Sequence, residues 1–325
     1  MTAWALVAFL ATLIVMPPLL RVLGRLGTFD VANHRSSHEG VVLRGAGLAI
    51  TFGFVVALAV SQGATHVSVA IAALAVLLTG VGFWDDQRDL PALPRLLGLL
   101  ASGAILGLVV PLTSHPLVGC VASPLWIASS VNAYNFMDGI NGLSALSAMV
   151  AGLSYVVMGM SIGDELLAAI GACTFGSAAA FLPFNAPRAR AFMCDAGSYG
   201  VGFIVGAGAW TAWTAGIPIW VALAPLSVYL IDTASTLAMR AQQHKPLTEA
   251  HREHVYQQIV QSGWSHTQGS LFIGLCTALV SGITFACWRF EVPALGLATW
   301  FAVSLGYGIG IRRIANGNAS LDHTG

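Results

Sequence analysis

Carboxylates are scarce in this chain, and where they occur they are crowded. Only 14 of 325 residues are acidic, yet GFWDDQRDLPALPR (residues 81–94) sets Asp85, Asp86 and Asp89 at the end of an apolar run. Asp138 stands in NAYNFMDGINGL (132–143) and Asp195 in FNAPRARAFMCDAGS (184–198), each again beside an apolar run. Clustered carboxylates repel and raise one another's pKa unless a cation lies among them. Oxygen ligands without Cys or paired His favour a hard ion, Mg2+ or as substitute Mn2+. Magnesium with few protein ligands completes its shell with water and phosphate. The basic residues Arg35, Arg44, Arg88, Arg188, Arg190 and Arg252 suit an anionic substrate. Phosphate chemistry is the natural inference.

The elements that must position these residues are membrane helices. The chain is 56% hydrophobic and 9% charged, against roughly 25% charged in soluble domains, and its mean hydropathy is +0.77. Apolar runs near the ~20 residues that cross a bilayer cover 4–20, 46–60, 67–84, 96–110, 117–131, 143–160, 166–184, 197–215, 217–237, 269–288 and 293–311. The expectation is one all-α polytopic membrane domain over 1–325, with eleven transmembrane helices and its chemistry on cytoplasmic loops. With the N-terminus outside, thirteen of the fourteen Lys and Arg fall on inner segments and only Arg289 falls outside, the asymmetry of the positive-inside rule. On that topology Asp85, Asp86, Asp138 and Asp195 all lie at inner helix ends, where packing could unite them. The first run lacks a basic leader and a cleavage site, so it is read as an anchor helix. The five cysteines show no C-x-x-C spacing, which argues against a disulfide or metal framework. Any one acid could be only a helix cap. All of them together are harder to explain that way, because carboxylates near a bilayer usually have a partner.

At these residues a family resemblance emerges. NAYNFMDGINGL resembles the N-x-x-N-x-x-D-G-x-x-G-L signature of polyprenyl-phosphate N-acetylaminosugar-1-phosphate transferases, and FWDDQRDL resembles their D-D-x-x-D-L motif. FNAPRARAFMCDAGS is similar to their F-N-x-P-x-A-x-x-F-M-G-D-x-G-S loop, and DVANHRSSHEGVVLRGAG to their first loop. The resemblance implies a multi-pass enzyme of the bacterial inner membrane, with the N-terminus periplasmic and the C-terminus and active site cytoplasmic. It would transfer a sugar-1-phosphate from a UDP-N-acetylamino sugar to undecaprenyl phosphate, releasing UMP and initiating a lipid-linked glycan such as O-antigen. Its partners would be those two substrates and the lipid bilayer, with no nucleic acid, and a homodimer is compatible with the family.

The resemblance also implies roles. Asp195 is the first choice as Mg2+ ligand and Asp138 the next. Asp85 and Asp86 match the nucleophile side as base, ligand or positioner of the lipid phosphate. Asn185 and Phe192 match nucleotide-lining positions, and Asn132 and Asn135 can hydrogen-bond phosphate, ribose or base. HREHVYQ (251–257) resembles a late cytoplasmic motif at Arg252 and His254, which would bind the diphosphate; zinc at His251 and His254 is disfavoured for want of a third ligand. Departures include Asn141 where relatives carry Asp, Cys194 where they carry Gly, and Tyr256 where they carry His. These point to altered substrate choice. Asp232, in IDTAST, lies toward the inner end of its helix without an assignable role. The competing classes are a transporter, for which two related halves would be expected and none are visible, and an inactive scaffold.

Overall fold

A computed structural model describes residues 1–31, 41–246 and 251–321. Arg35 lies outside the described residues. Helices α1 (Thr2–Leu26), α2 (Leu48–Gln62), α3 (His66–Arg88), α4 (Ala92–Val109), α5 (Pro116–Met137), α6 (Leu143–Ile162), α7 (Glu165–Asn185) and α8 (Cys194–Thr214) follow in order. Then come α9 (Ile219–Ala222), α10 (Ser227–Gln242), α11 (Val255–Gln261), α12 (His266–Arg289) and α13 (Pro293–Leu321). Their ends obey local chemistry. Thr65 accepts from the Ser68 N–H at 3.1 Å to start α3, and Asp164 accepts from the Leu167 N–H at 2.8 Å to start α7, each satisfying a donor that the first helical turn leaves open.

The molecule is an all-α polytopic membrane protein. Among the described residues eight helices are long and apolar enough to cross a membrane, while Leu48–Gln62 is apolar but shorter. The expected helix over 217–237 is interrupted: α9 gives way to a 3-10 turn at Ala224–Leu226 before α10 begins. Pro225, inside that turn, has no N–H to continue an α-helical ladder. Two features were not anticipated. The first loop forms an antiparallel ribbon of β1 (Phe29–Val31) and β2 (Val41–Leu43), pairing Phe29 with Leu43. The late loop contains α11.

Helix α8 is the axis of the site. Its residues from Ala196 to Ala212 are all buried, so it needs small residues for contact with protein more than apolar bulk for lipid, the usual pattern where membrane helices meet. Its closest approach is to α3. A Cβ added at Gly82 would lie 2.1 Å from the Asp195 carbonyl oxygen, and one at Gly200 would lie 2.2 Å from Thr79 Oγ1. The Thr51 and Thr79 hydroxyls hydrogen-bond at 2.7 Å beside this contact, tying α2 to α3. Across from α3, Ser130 of α5 donates to the Gly202 carbonyl at 2.7 Å. Helices α3 and α5 thus end beside the point where α8 begins, and their terminal acids are brought to one end of the bundle. Gln62 and Glu165 meet at the opposite end, where the Gln62 side chain donates to the Glu165 carbonyl.

Candidate active site

A cleft of about 640 Å³ opens at the acidic end, lined among others by Asp85, Asp89, Arg95, Asn132, Asn135, Asp138, Asp195, Tyr199, His251, His254 and Tyr256. This volume lies in the range of small-molecule sites. Acids from three separate helix ends therefore share one cleft.

Asp195, in the first turn of α8, accepts from Asn135 Nδ2 at 2.6 Å. The same amide reaches Ser198 Oγ at 3.2 Å, so Asn135 aims the Asp195 carboxylate. Asp138 follows the last residue of α5. Burial pushes its carboxyl up to about 8, and the charges of Asp195 and Asp86 add to the effect. Asn132 spends its amide N–H on the Ala128 carbonyl at 2.7 Å and leaves its carbonyl end for the cleft.

The two acids of the D-D pair differ in use. Asp85 is 3% exposed; it accepts from the Leu90 N–H at 2.8 Å, from Arg95 at 2.7 Å and from Tyr199 at 2.9 Å. It thereby holds two cleft residues, Arg95 and Tyr199. Asp86 accepts from the backbone N–H groups of Asp195 at 3.2 Å and Ala196 at 2.9 Å, and from Arg44 at 3.2 Å. Its side chain is 1% exposed, and it does not line this cleft. A carboxylate at the start of α8 neutralises open donors and the positive end of the helix dipole. Asp86 is a strut between α3 and α8.

Several other expected site residues also sit in the frame. Asn185 is 6% exposed; its oxygen accepts from the Gly142 N–H at 2.6 Å and its amide donates to the Ala191 carbonyl at 3.0 Å, binding two motif loops together. Phe192 is held by its backbone, whose N–H donates to Leu43 at 2.8 Å and whose carbonyl accepts from Ala46 at 3.0 Å. That pairing joins the first loop to the α7–α8 loop. Asn141 donates from its side chain to the Pro187 carbonyl at 3.2 Å. Asn185, Phe192, Asn141, Arg44, Arg88 and Arg252 do not line this cleft, and Arg88 and Arg252 are exposed. His254 does line it, 2% exposed.

Arg95 and Tyr199 line the cleft without having been expected there, and so does Tyr256, which stood out in the sequence only as a departure in the late loop. Tyr199 had a detectable signal: it is four residues after Asp195 and so on the same helix face. Tyr256 donates to the Phe136 carbonyl at 2.9 Å, bracing the turn that carries Asp138. Nothing in its neighbours along the chain announces that contact.

The donor set bears on metal binding. Among the described residues no group of three or more His, Cys, Asp and Glu is disposed to hold a metal ion. The His251 and His254 rings stack at 4.8 Å and 25°, which disfavours zinc held between them. Asp138 and Asp195 are instead a pair of oxygen donors flanking open space, which suits a cation that takes most of its shell from water and phosphate.

Cys194 precedes Asp195 with φ at +56°. A non-glycine residue there costs about 1–2 kcal/mol, which accounts for the glycine expected at this position. Cys194→Gly is expected to raise thermal stability by about 1 kcal/mol, and Cys194→Val to lower it, since a β-branched side chain tolerates positive φ worst. Melting of the purified variants in detergent checks both.

Fold and cleft together define a polytopic membrane protein with a carboxylate-lined, polar site at one end of its helices. A family model, glycosyl transferase family 4, matches residues 68–212, a span that contains Asp85, Asp86, Asp138 and Asp195. Over that span the chain is similar to this family. It is 27% identical to a probable undecaprenyl-phosphate N-acetylglucosaminyl 1-phosphate transferase of Bacillus subtilis (strain 168), over 83% of this chain and 80% of that one. It is 26% identical to a decaprenyl-phosphate N-acetylglucosaminephosphotransferase of Mycobacterium tuberculosis, over 85% and 80%. It is 25% identical to an undecaprenyl-phosphate alpha-N-acetylglucosaminyl 1-phosphate transferase of Yersinia pestis, over 89% and 85%.

Proposed function

We propose that this protein transfers an N-acetylaminosugar-1-phosphate from a UDP-sugar to undecaprenyl phosphate, with Mg2+ as cofactor, and so begins a lipid-linked glycan such as O-antigen. The convergence of Asp85, Asp138 and Asp195 with Asn132, Asn135 and His254 on one cleft carries this reading. The relatives' names, which specify polyprenyl phosphate and N-acetylglucosamine phosphate transfer, support it. The basic asymmetry of the sequence supports a cleft facing the cytoplasm of a bacterial inner membrane.

One phosphoanhydride is broken and another made, so catalysis reduces largely to aligning two anions and neutralising charge on the transferring and leaving oxygens. Asp195 and Asp138 would hold the magnesium ion, which when bound supplies that charge neutralisation. Asn135 keeps the Asp195 carboxylate aimed into the cleft. Arg95, clamped by Asp85, keeps a cation at the cleft wall for a phosphate. Asp85 acts better as positioner than as base: its oxygens already accept three hydrogen bonds. A phosphate monoester with second pKa near ~6 is also mostly dianionic at neutral pH and needs little deprotonation.

The test is direct. Purified protein with Mg2+, undecaprenyl phosphate and a panel of UDP-N-acetylamino sugars is expected to release UMP with at least one donor, UDP-N-acetylglucosamine being tried first. EDTA abolishes turnover and added Mg2+ or Mn2+ restores it. Turnover that persists in EDTA removes the metal. Movement of an intact nucleotide sugar across proteoliposomes without cleavage would replace the reading with transport.

A further inference from the structure

The buried Asp232 of α10 lies outside every motif used above, yet it is the most heavily hydrogen-bonded carboxylate near the cleft. It is 0% exposed. Its Oδ1 meets Thr236 Oγ1 at 3.2 Å, the Val255 N–H at 3.0 Å and His254 Nδ1 at 3.0 Å. Its Oδ2 accepts from the Tyr256 N–H at 3.1 Å and from the Tyr307 hydroxyl of α13 at 2.7 Å. Two of these partners are backbone N–H groups, which can only donate, and the hydroxyls are aimed as donors too. An oxygen pair so surrounded is a carboxylate with nothing to give, so the proton shared with His254 belongs on Nδ1. The other ring nitrogen, Nε2, is then the one that remains for the cleft, which His254 lines. Rings on several sides fix the plane of the imidazole: His251 at 4.8 Å and 25°, Tyr256 at 5.8 Å and 28°, and Phe136 at 5.8 Å and 30°.

We infer that Asp232, supported by Tyr307, is a positioning residue that holds His254 with Nδ1 protonated and presents Nε2 to a phosphate oxygen of the bound substrate. In the imidazolium form Nε2–H donates to the anion, and Asp232 is the counter-ion that a buried positive charge requires. The second nitrogen of a functional histidine is commonly set this way, by the hydrogen bond that the first one makes. The inference rests on the reading of the cleft as a site for phosphorylated substrates. It also gives the last helix a part in the site, through Tyr307, although no α13 residue lines the cleft.

The experiment uses the full chain in detergent, labelled with 15N-histidine. The His254 signals are assigned by their loss in His254→Gln. Without substrate, Nδ1 of His254 is expected to be protonated; a bare Nδ1 with a protonated Nε2 overturns the inference. Under the UMP-release assay, Asp232→Asn is expected to lower kcat/KM by about 100-fold in the parent chain but by less than about 3-fold in a His254→Gln background, since residues acting as one unit are not additive. A full, multiplicative loss in that background assigns Asp232 a structural role only and overturns the inference. If Asp232→Asn does not fold, the spectrum of the unsubstituted protein alone decides. A protonated Nδ1 in a protein that releases no UMP with any UDP-sugar would sustain the hydrogen-bond assignment while refuting the transferase reading.

Discussion

Asp195→Asn is expected to leave the protein folded and to lower UMP release by at least about 10²–10³-fold, the scale on which loss of one group that stabilises transition-state charge is felt. An asparagine at 195 keeps an oxygen that can accept from Asn135 Nδ2, now 2.6 Å from Asp195 Oδ1. The backbone N–H that Asp195 donates to Asp86 is untouched. What disappears is one of the carboxylates that line the cleft, Asp138 being the other proposed ligand of the ion. The melting temperature should therefore stay near that of the parent, while the Mg2+ concentration needed for half-maximal rate rises steeply. The measurement is UMP release titrated with Mg2+ beside a thermal melt. Wild-type turnover in the variant would remove Asp195 from the metal site and with it the proposed placement of the ion.

Asp86→Ala is expected to behave oppositely, with stability failing first. The substitution leaves the N–H groups of Asp195 and Ala196 without their acceptor and Arg44 without its partner. Removing one member of a fully buried ion pair costs about 3–5 kcal/mol, but Arg44 is 40% exposed and can turn to water. A loss of about 2–4 kcal/mol is the appropriate scale, most of it from unpaired backbone donors. Asp86→Asn, which keeps one acceptor oxygen, should fall between. Activity should decline in step with the folded fraction and with the displacement of α8. A variant as stable as the parent but inactive would show that Asp86 takes part in the chemistry and is not only a strut.

These two carboxylates come from equally recognisable motifs, and the contrast between them shows how far sequence reading reaches. The acids of FWDDQRDL, NAYNFMDGINGL and FMCDAGS do end their helices at one face of the bundle, as apolar run lengths and charge distribution implied. The division within them was not legible. Asp85 and Asp86 are adjacent in the chain, yet one lines the cleft and the other turns to the backbone of α8, 110 positions away. Adjacent helical residues point about 100° apart, so neighbours in a motif need not share a task. Asn185 shows the same limit, since its partner Gly142 lies 43 positions back.

Sequence alone determined the class of structure and the location of its acidic residues, because transfer of a helix from water to lipid depends on the length and hydropathy of that segment. The interruption at Ala224–Leu226 was the exception: Pro225 lacks the N–H for the ladder, but Pro124 and Pro183 stand inside continuous helices, so the proline alone did not announce a break. Only the tertiary structure decided which carboxylates face open space and which are consumed inside the protein: Asp138 and Asp195 line the cleft, while Asp86 and Asp232 are surrounded by donors. The physical reason is that a carboxylate's role is set by the donors around it, and here those donors come from other helices brought within reach by glycine contacts such as Gly82 against Asp195.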